Sequence, residues 1–208
     1  EPTFHRYRLD EPKKKTKGKN IFVSSMGDLF GEWVPEDWIK AVFEACQDAP
    51  QHNYIFLTKN PKRFQDAILM NSLNITKNMW FGFSVEDQSA LSKLAMGAKW
   101  LPVNSFISIE PIHGAINLTR IEPIEVNVYL NFLDGGQYWF MGGDNNGKKL
   151  KWVIVGAQTG PGAKAPESEW ILNIINQTRA AGVPIFLKDN LKWPEKIQEF
   201  PKELMKHE

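Results

Sequence analysis

One cysteine, Cys46, occurs in the 208 residues. That excludes a disulfide framework within the chain and a thiolate metal site of its own. Cys46 falls inside a helical pattern, where a free cysteine acts as a small hydrophobe, and the expected setting is reducing and cytoplasmic. An excess of either charge is missing as well. Lysine and arginine number 25 against 24 aspartates and glutamates, a formal net charge of +1, so no global field marks a nucleic-acid or membrane binder. No apolar run approaches the roughly 18 residues of a membrane span, and no signal-peptide core is present; no membrane partner is expected. Histidines number four, and none pairs with His113 as metal ligands would, so no metal site is expected.

What is present is a hydrophobic content of 42% with 24% charged residues, enough for one domain with a full core. Six short apolar segments stop at polar or charged clusters: residues 20–28, 53–60, 79–87, 105–111, 152–160 and 184–190. Runs rich in Ile, Val and Phe are typical of strands buried on both faces of a parallel sheet. Helical patterns lie between them at 35–46, 61–69, 88–96 and 167–181, the last with Ser168 as its expected cap and Gly182 and Pro184 as its stop. Strands alternating with helices imply βαβ units. The expected fold is α/β: a partial TIM-like (β/α) barrel of about six parallel strands in one domain, 20–208.

Residues 118–150 interrupt the alternation. Segments 126–132 and 137–141 flank Asp134-Gly135-Gly136 and read as a β-hairpin insertion, followed by a second turn over 142–147. The tail from 193 to 208 is expected to dock loosely. Residues 1–20 carry Arg6, Arg8, Lys13, Lys14, Lys15, Lys17 and Lys19. They read as a solvated basic arm, with nucleic acid as the partner such an arm would take through phosphate contacts.

In an α/β protein, groups at the C-terminal ends of the strands share one face, where ligands bind. Those groups are Ser24, Ser25 and Asp28; Thr58, Lys59 and Asn60; Ser84, Glu86 and Asp87; Glu110 and His113; Gln158 and Thr159; and Lys188, Asp189 and Asn190. Two lysines and two glutamates (Lys59, Lys188, Glu86, Glu110) suit either mutual ion pairs or an ionic ligand bearing a carboxylate and an ammonium. Glu110 is the most pointed, because a carboxylate ending a buried strand needs a partner, a proton or a ligand. The segment 156–163 can offer backbone N–H groups to an anion, yet it has neither P-loop nor dinucleotide spacing. Ser24 and Ser25 have no local base, which argues against serine nucleophilic catalysis. No catalytic residue is assigned.

Taken in order, SSMGDLFGEWVPEDW, FLTKNPKRF, MWFGFSVEDQ, FISIEPIHGAINL, WVIVGAQTGPGA and AGVPIFLKDN resemble one family. It is the phage-associated, functionally uncharacterised family named for the phage gp-thirty-seven and gp-sixty-eight proteins. The resemblance is collinear over nearly all of residues 20–190. Its full-length members look like radical S-adenosylmethionine enzymes: a partial (β/α) barrel preceded by a cysteine cluster that ligates a [4Fe–4S] centre. The resemblance implies that Ser25, Asp28, Thr58, Lys59, Ser84, Glu86, Glu110, Gln158 and Lys188 surround S-adenosylmethionine and a small-molecule substrate. It also implies that Glu1 falls after the cysteine-cluster segment, so the chain is expected to bind no cluster and to be inactive alone. A barrel lacking its first strand exposes sheet edges, which favours a dimer or disorder at the N-terminus. Two further readings stand beside this one. One is a non-catalytic nucleic-acid-associated protein; the other is a barrel enzyme acting on a small anionic metabolite through Lys59, Lys188 and the 156–163 loop.

Overall fold

The computed structural model describes residues 3–71, 73–95, 102, 104–122, 128–139, 142–144 and 149–207. The architecture is mixed α/β. Strands β1 (Asn20–Phe22), β2 (Asn53–Thr58), β3 (Met79–Val85), β4 (Ser105–Ile109), β8 (Trp152–Val155) and β9 (Ile185–Leu187) form one sheet, hydrogen-bonded in the order β1-β2-β3-β4-β8-β9. The pairs β1–β2, β4–β8 and β8–β9 are parallel. Burial along nearly the whole of β2, β3 and β4 explains why they read as apolar runs without a polar face. Helices α1 (Glu36–Gln47), α2 (Pro61–Asn71), α3 (Gln88–Ala95) and α4 (Ser168–Ala180) lie in the expected intervals. The chain divides into two units, residues 1–82 with 202–208, and residues 83–201.

The core of the first unit is aromatic. Phe43, Phe56 and Phe81 stack with centroids 5.0–6.2 Å apart, and Phe64 tilts against Phe81 at 4.7 Å. Helix α1 joins this core because Ile39, Phe43 and Cys46 recur at helical spacing and are buried, while Glu36 and Asp37 occupy the first turn, where the helix dipole favours anions. Burial pushes the Cys46 thiol up to about 12 from 9.0, and burial, then Cys46, raises the Tyr54 phenol. The folded thiol keeps its proton where the unfolded one ionises. Its contribution to stability is therefore complete below about pH 9 and is lost as pH rises toward 12. At pH 8 the native chain is expected to resist a thiol reagent and to take one equivalent on unfolding; rapid native labelling would contradict the assignment.

In the second unit, Trp152 packs against Phe106, Phe186 and Phe200 at 5.3–6.2 Å. Helix α4 buries Ile171, Ile174, Ile175 and Thr178 as one stripe. Its N-cap is Glu167, without a side-chain cap bond, so Ser168 is the first helical residue rather than the cap. Gly182, at φ +64°, ends the segment in the left-handed conformation.

The hairpin is present as β5 (Val128–Asn131) and β6 (Gly136–Trp139), antiparallel around Gly135 at φ +81°. Where a second turn was expected, Gly142–Asp144 is instead a third strand, β7, paired with β6. Its glycines read as turn residues, but strand pairing overrides propensity there. The expected segments at 123–127, 140–141 and 145–148 lie outside the described residues, as does Met96 at the end of the third helical pattern. The tail is not loose. Ile197, Pro201 and Leu204 are buried, Gln198 bridges Phe186 in antiparallel fashion, and Leu187 and Glu199 donate backbone N–H groups to Ile197 and Ile185. The 197–199 segment therefore covers the outer edge of β9. Among the described residues no helix is long and apolar enough to cross a membrane.

Candidate functional site

The strand-end residues separate into two networks. In the first unit, Ser25 is exposed in the turn that follows β1, where Gly27 donates to the Ser24 carbonyl at 3.0 Å. Asp28 is engaged by its own surroundings. Its Oδ1 accepts from the Phe30 N–H at 2.9 Å, and its Oδ2 accepts from Thr58 Oγ1 at 2.9 Å and the Lys59 N–H at 2.8 Å. Thr58, itself 3% exposed, accepts in turn from the Asn60 N–H, and Asn60 Oδ1 accepts from the Arg63 N–H in the first turn of α2. Asp28 and Thr58 thus tie the loop after β1 to the end of β2, and Lys59 presents an exposed side chain beside them.

In the second unit the parallel register builds a row. Ile109 pairs with Val155, and Val155 with Leu187. One position further on come Glu110, Gly156 and Lys188. Residues in one row of parallel strands share a face, and the middle member has no side chain. The two long flanking chains therefore meet above Gly156: Lys188 Nζ donates to Glu110 Oε2. The carboxylate rests on the glycine so closely that a Cβ at position 156 would stand 2.5 Å from Glu110 Oε1. The Glu110 and Lys188 side chains retain 25% and 42% exposure, so the pair faces solvent and is accessible to a solute.

Asn190, in a short 3-10 turn (Asp189–Leu191), completes the arrangement. Its carboxamide pairs both ways with the Ala157 peptide, accepting the N–H at 3.1 Å and donating to the carbonyl at 3.0 Å. It also stands 3.5 Å from Glu110 Oε1. The ends of β8 and β9 are thereby fixed relative to each other. Ser84 is half-buried near the end of β3, and the Glu86 carbonyl accepts from the His113 N–H at 2.9 Å, which joins the segments following β3 and β4. Gln158 is exposed and accepts from the Lys164 N–H at 3.3 Å within the glycine-rich loop, whose Gly160 and Gly162 are left-handed.

Of the sequence-derived residues, Glu110 and Lys188 are brought together, Asp28 and Thr58 form a separate tie, and Ser25 and Gln158 are surface groups of their loops. Gly156 and Asn190 are the additions. Both lie in segments that stood out, yet their parts depend on register. Among the described residues no three of His, Cys, Asp and Glu gather as a metal-holding group. Residues 1–206, nearly the whole chain, match the profile of a family described as "Protein of unknown function (DUF5131)". The chain belongs to the DUF5131 family. No curated protein and no solved structure matches it. The row of this DUF5131 chain sets a carboxylate and an ammonium side by side, with the carboxylate resting on a glycine whose missing side chain makes room for it.

Proposed function

We propose that the chain is the barrel portion of a phage-associated radical S-adenosylmethionine-like protein, its six strands arranged as a partial TIM-like barrel. In this reading the row Glu110–Gly156–Lys188 receives the amino-acid end of S-adenosylmethionine. The observation that carries it is the adjacent carboxylate and ammonium at the C-terminal ends of β4 and β9. A zwitterion fits such a pair by exchange. The ligand's ammonium replaces Lys188 against Glu110, and its carboxylate replaces Glu110 against Lys188, both as charge-assisted hydrogen bonds. The resident pair is part-exposed and contributes only about 0–1 kcal/mol, so opening it costs little. Asn190 keeps the Ala157 peptide and the β9 end in place while the exchange occurs.

S-adenosylmethionine would yield a radical only on receiving one electron from a reduced iron–sulfur cluster, its C–S bond then breaking to release methionine. An iron–sulfur cluster does not fit the residues of this chain. Such a cluster is held by several thiolates, whereas the sole cysteine is buried on α1 and holds its proton up to about 12. The role derived for these residues is therefore binding and orientation.

Thermal unfolding tests the reading. At a hundredfold excess over Kd, S-adenosylmethionine or S-adenosylhomocysteine is expected to stabilise the chain by about 2.7 kcal/mol, a rise in Tm of about 5–10 °C. Methylthioadenosine, which lacks the amino-acid end, is expected to leave Tm unchanged. No shift with either zwitterion contradicts the reading. Stabilisation by inorganic phosphate alone would replace it with that of a barrel enzyme acting on a small anionic metabolite.

A further inference from the structure

The basic arm is not a free linker, and its charges fall into two groups. Residues 3–13 neutralise acids around them. Phe4 stacks on Trp38 at 4.9 Å, Arg6 pairs with Asp37 at 3.5 Å, Arg8 with Glu11 at 3.1 Å and Lys13 with Asp48 at 3.7 Å. Lys14, Lys15, Lys17 and Lys19 are exposed and form no ion pair among the described residues. Their backbone is nevertheless fixed. His52, at 0% exposure, accepts the Lys19 N–H on Nδ1 at 3.1 Å and donates from Nε2 to the Pro12 carbonyl at 2.9 Å. Gln51 donates to the Lys15 carbonyl at 2.8 Å, and the Asn53 N–H to the Lys19 carbonyl at 2.9 Å.

A second basic segment from the opposite end of the sequence lies against the first. Asn20 Nδ2 donates to the Leu204 carbonyl at 2.8 Å, and Asn53 Nδ2 donates to the Glu203 carbonyl at 3.2 Å. Lys202 and Lys206, both exposed, stand two residues to either side of Leu204, with Glu203 the one acid between them. We propose that Lys14, Lys15, Lys17, Lys19, Lys202 and Lys206 form a preassembled track for the phosphodiester backbone of a nucleic acid. A net charge of +1 over the whole chain conceals such a face, in which six lysines have Glu11 and Glu203 as near acids. The ordering entropy that a disordered lysine run would lose on binding is already spent in folding. The lysines sit on non-helical backbone beside β1, so they are not the polar face of a membrane-surface helix.

Fluorescence anisotropy with labelled single-stranded and duplex oligonucleotides tests the track. With about four phosphates neutralised, affinity is expected to fall roughly a hundredfold between about 50 and 200 mM salt. Lys14→Gln, Lys15→Gln, Lys17→Gln and Lys19→Gln combined are expected to weaken binding at least tenfold and to flatten the salt slope; Lys202→Gln with Lys206→Gln does the same to a smaller degree. Arg6→Gln with Lys13→Gln, which removes only paired charges, is expected to change affinity less than twofold. All these positions are exposed, so an unchanged unfolding midpoint confirms that each variant is folded. Absence of binding at low salt, equal losses in all three variants, or preferential binding to anionic vesicles overturns the proposal.

Discussion

Gly156→Ala is expected to abolish ligand capture at the row while leaving a folded protein. The added Cβ would stand 2.5 Å from Glu110 Oε1, 2.7 Å from its Cδ and 2.9 Å from its Cγ, so the carboxylate must swing away and lose Lys188. The obstructing atoms all belong to one part-exposed side chain. The overpacking cost therefore lies at the low end of the usual range, about 1 kcal/mol, or about 2–4 °C in Tm. Affinity for S-adenosylhomocysteine is expected to fall more than tenfold, because carboxylate and ammonium are displaced together. Adding Glu110→Ala to Gly156→Ala is expected to restore the lost stability and not the binding, a non-additivity diagnostic of contact. Denaturant unfolding and calorimetric titration of the single and double variants measure both quantities. Unchanged affinity in Gly156→Ala would mean that the row is not the binding site.

The largest loss of stability is expected from Phe81→Ala. Phe81 is 1% exposed and touches three rings: Phe56 at 5.0 Å, Phe64 at 4.7 Å and Phe43 at 6.2 Å between centroids. Truncation removes the transfer free energy of the ring and leaves a cavity walled by aromatic side chains that cannot close it. The expected cost is about 3–5 kcal/mol, a large share of the roughly 5–15 kcal/mol that keeps a domain folded. The Tm is expected to fall by about 6–20 °C, with Phe81→Leu intermediate. A loss below about 1 kcal/mol would show that the ring cluster is not the organising core of its unit.

The six sheet strands and four helices were legible because each carries its own local signal. The buried strands are short apolar runs rich in Ile, Val and Phe, and α1 and α4 repeat apolar residues at helical spacing. What failed locally was decided by tertiary pairing. Gly142–Asp144 has the composition of a turn and the hydrogen bonds of a strand. The 197–199 segment has no strand signal, yet it caps the β9 edge. The arm looks like a solvated run, yet one buried histidine holds it.

The candidate site shows the same division. That polar groups end the strands is visible in the sequence, but which of them meet is a matter of strand order and register. Glu110 and Lys188 lie 78 residues apart and become neighbours because β8 inserts between β4 and β9 and contributes a glycine at the row. Asp28 and Lys59, equally prominent as sequence features, are joined instead through the carboxylate and the backbone N–H, an assignment that side-chain type alone does not reveal.

The most direct test of the central claim is to measure stability and S-adenosylhomocysteine affinity on one variant, Glu110→Gln. If the pair exists to receive a zwitterion, unfolding free energy is expected to change by no more than about 1 kcal/mol, the worth of a part-exposed ion pair. Calorimetric affinity should fall at least tenfold, because the ligand's ammonium loses its counter-charge. A large loss of stability with unaltered affinity, or a wild-type chain that gives no binding heat at all, would contradict the account.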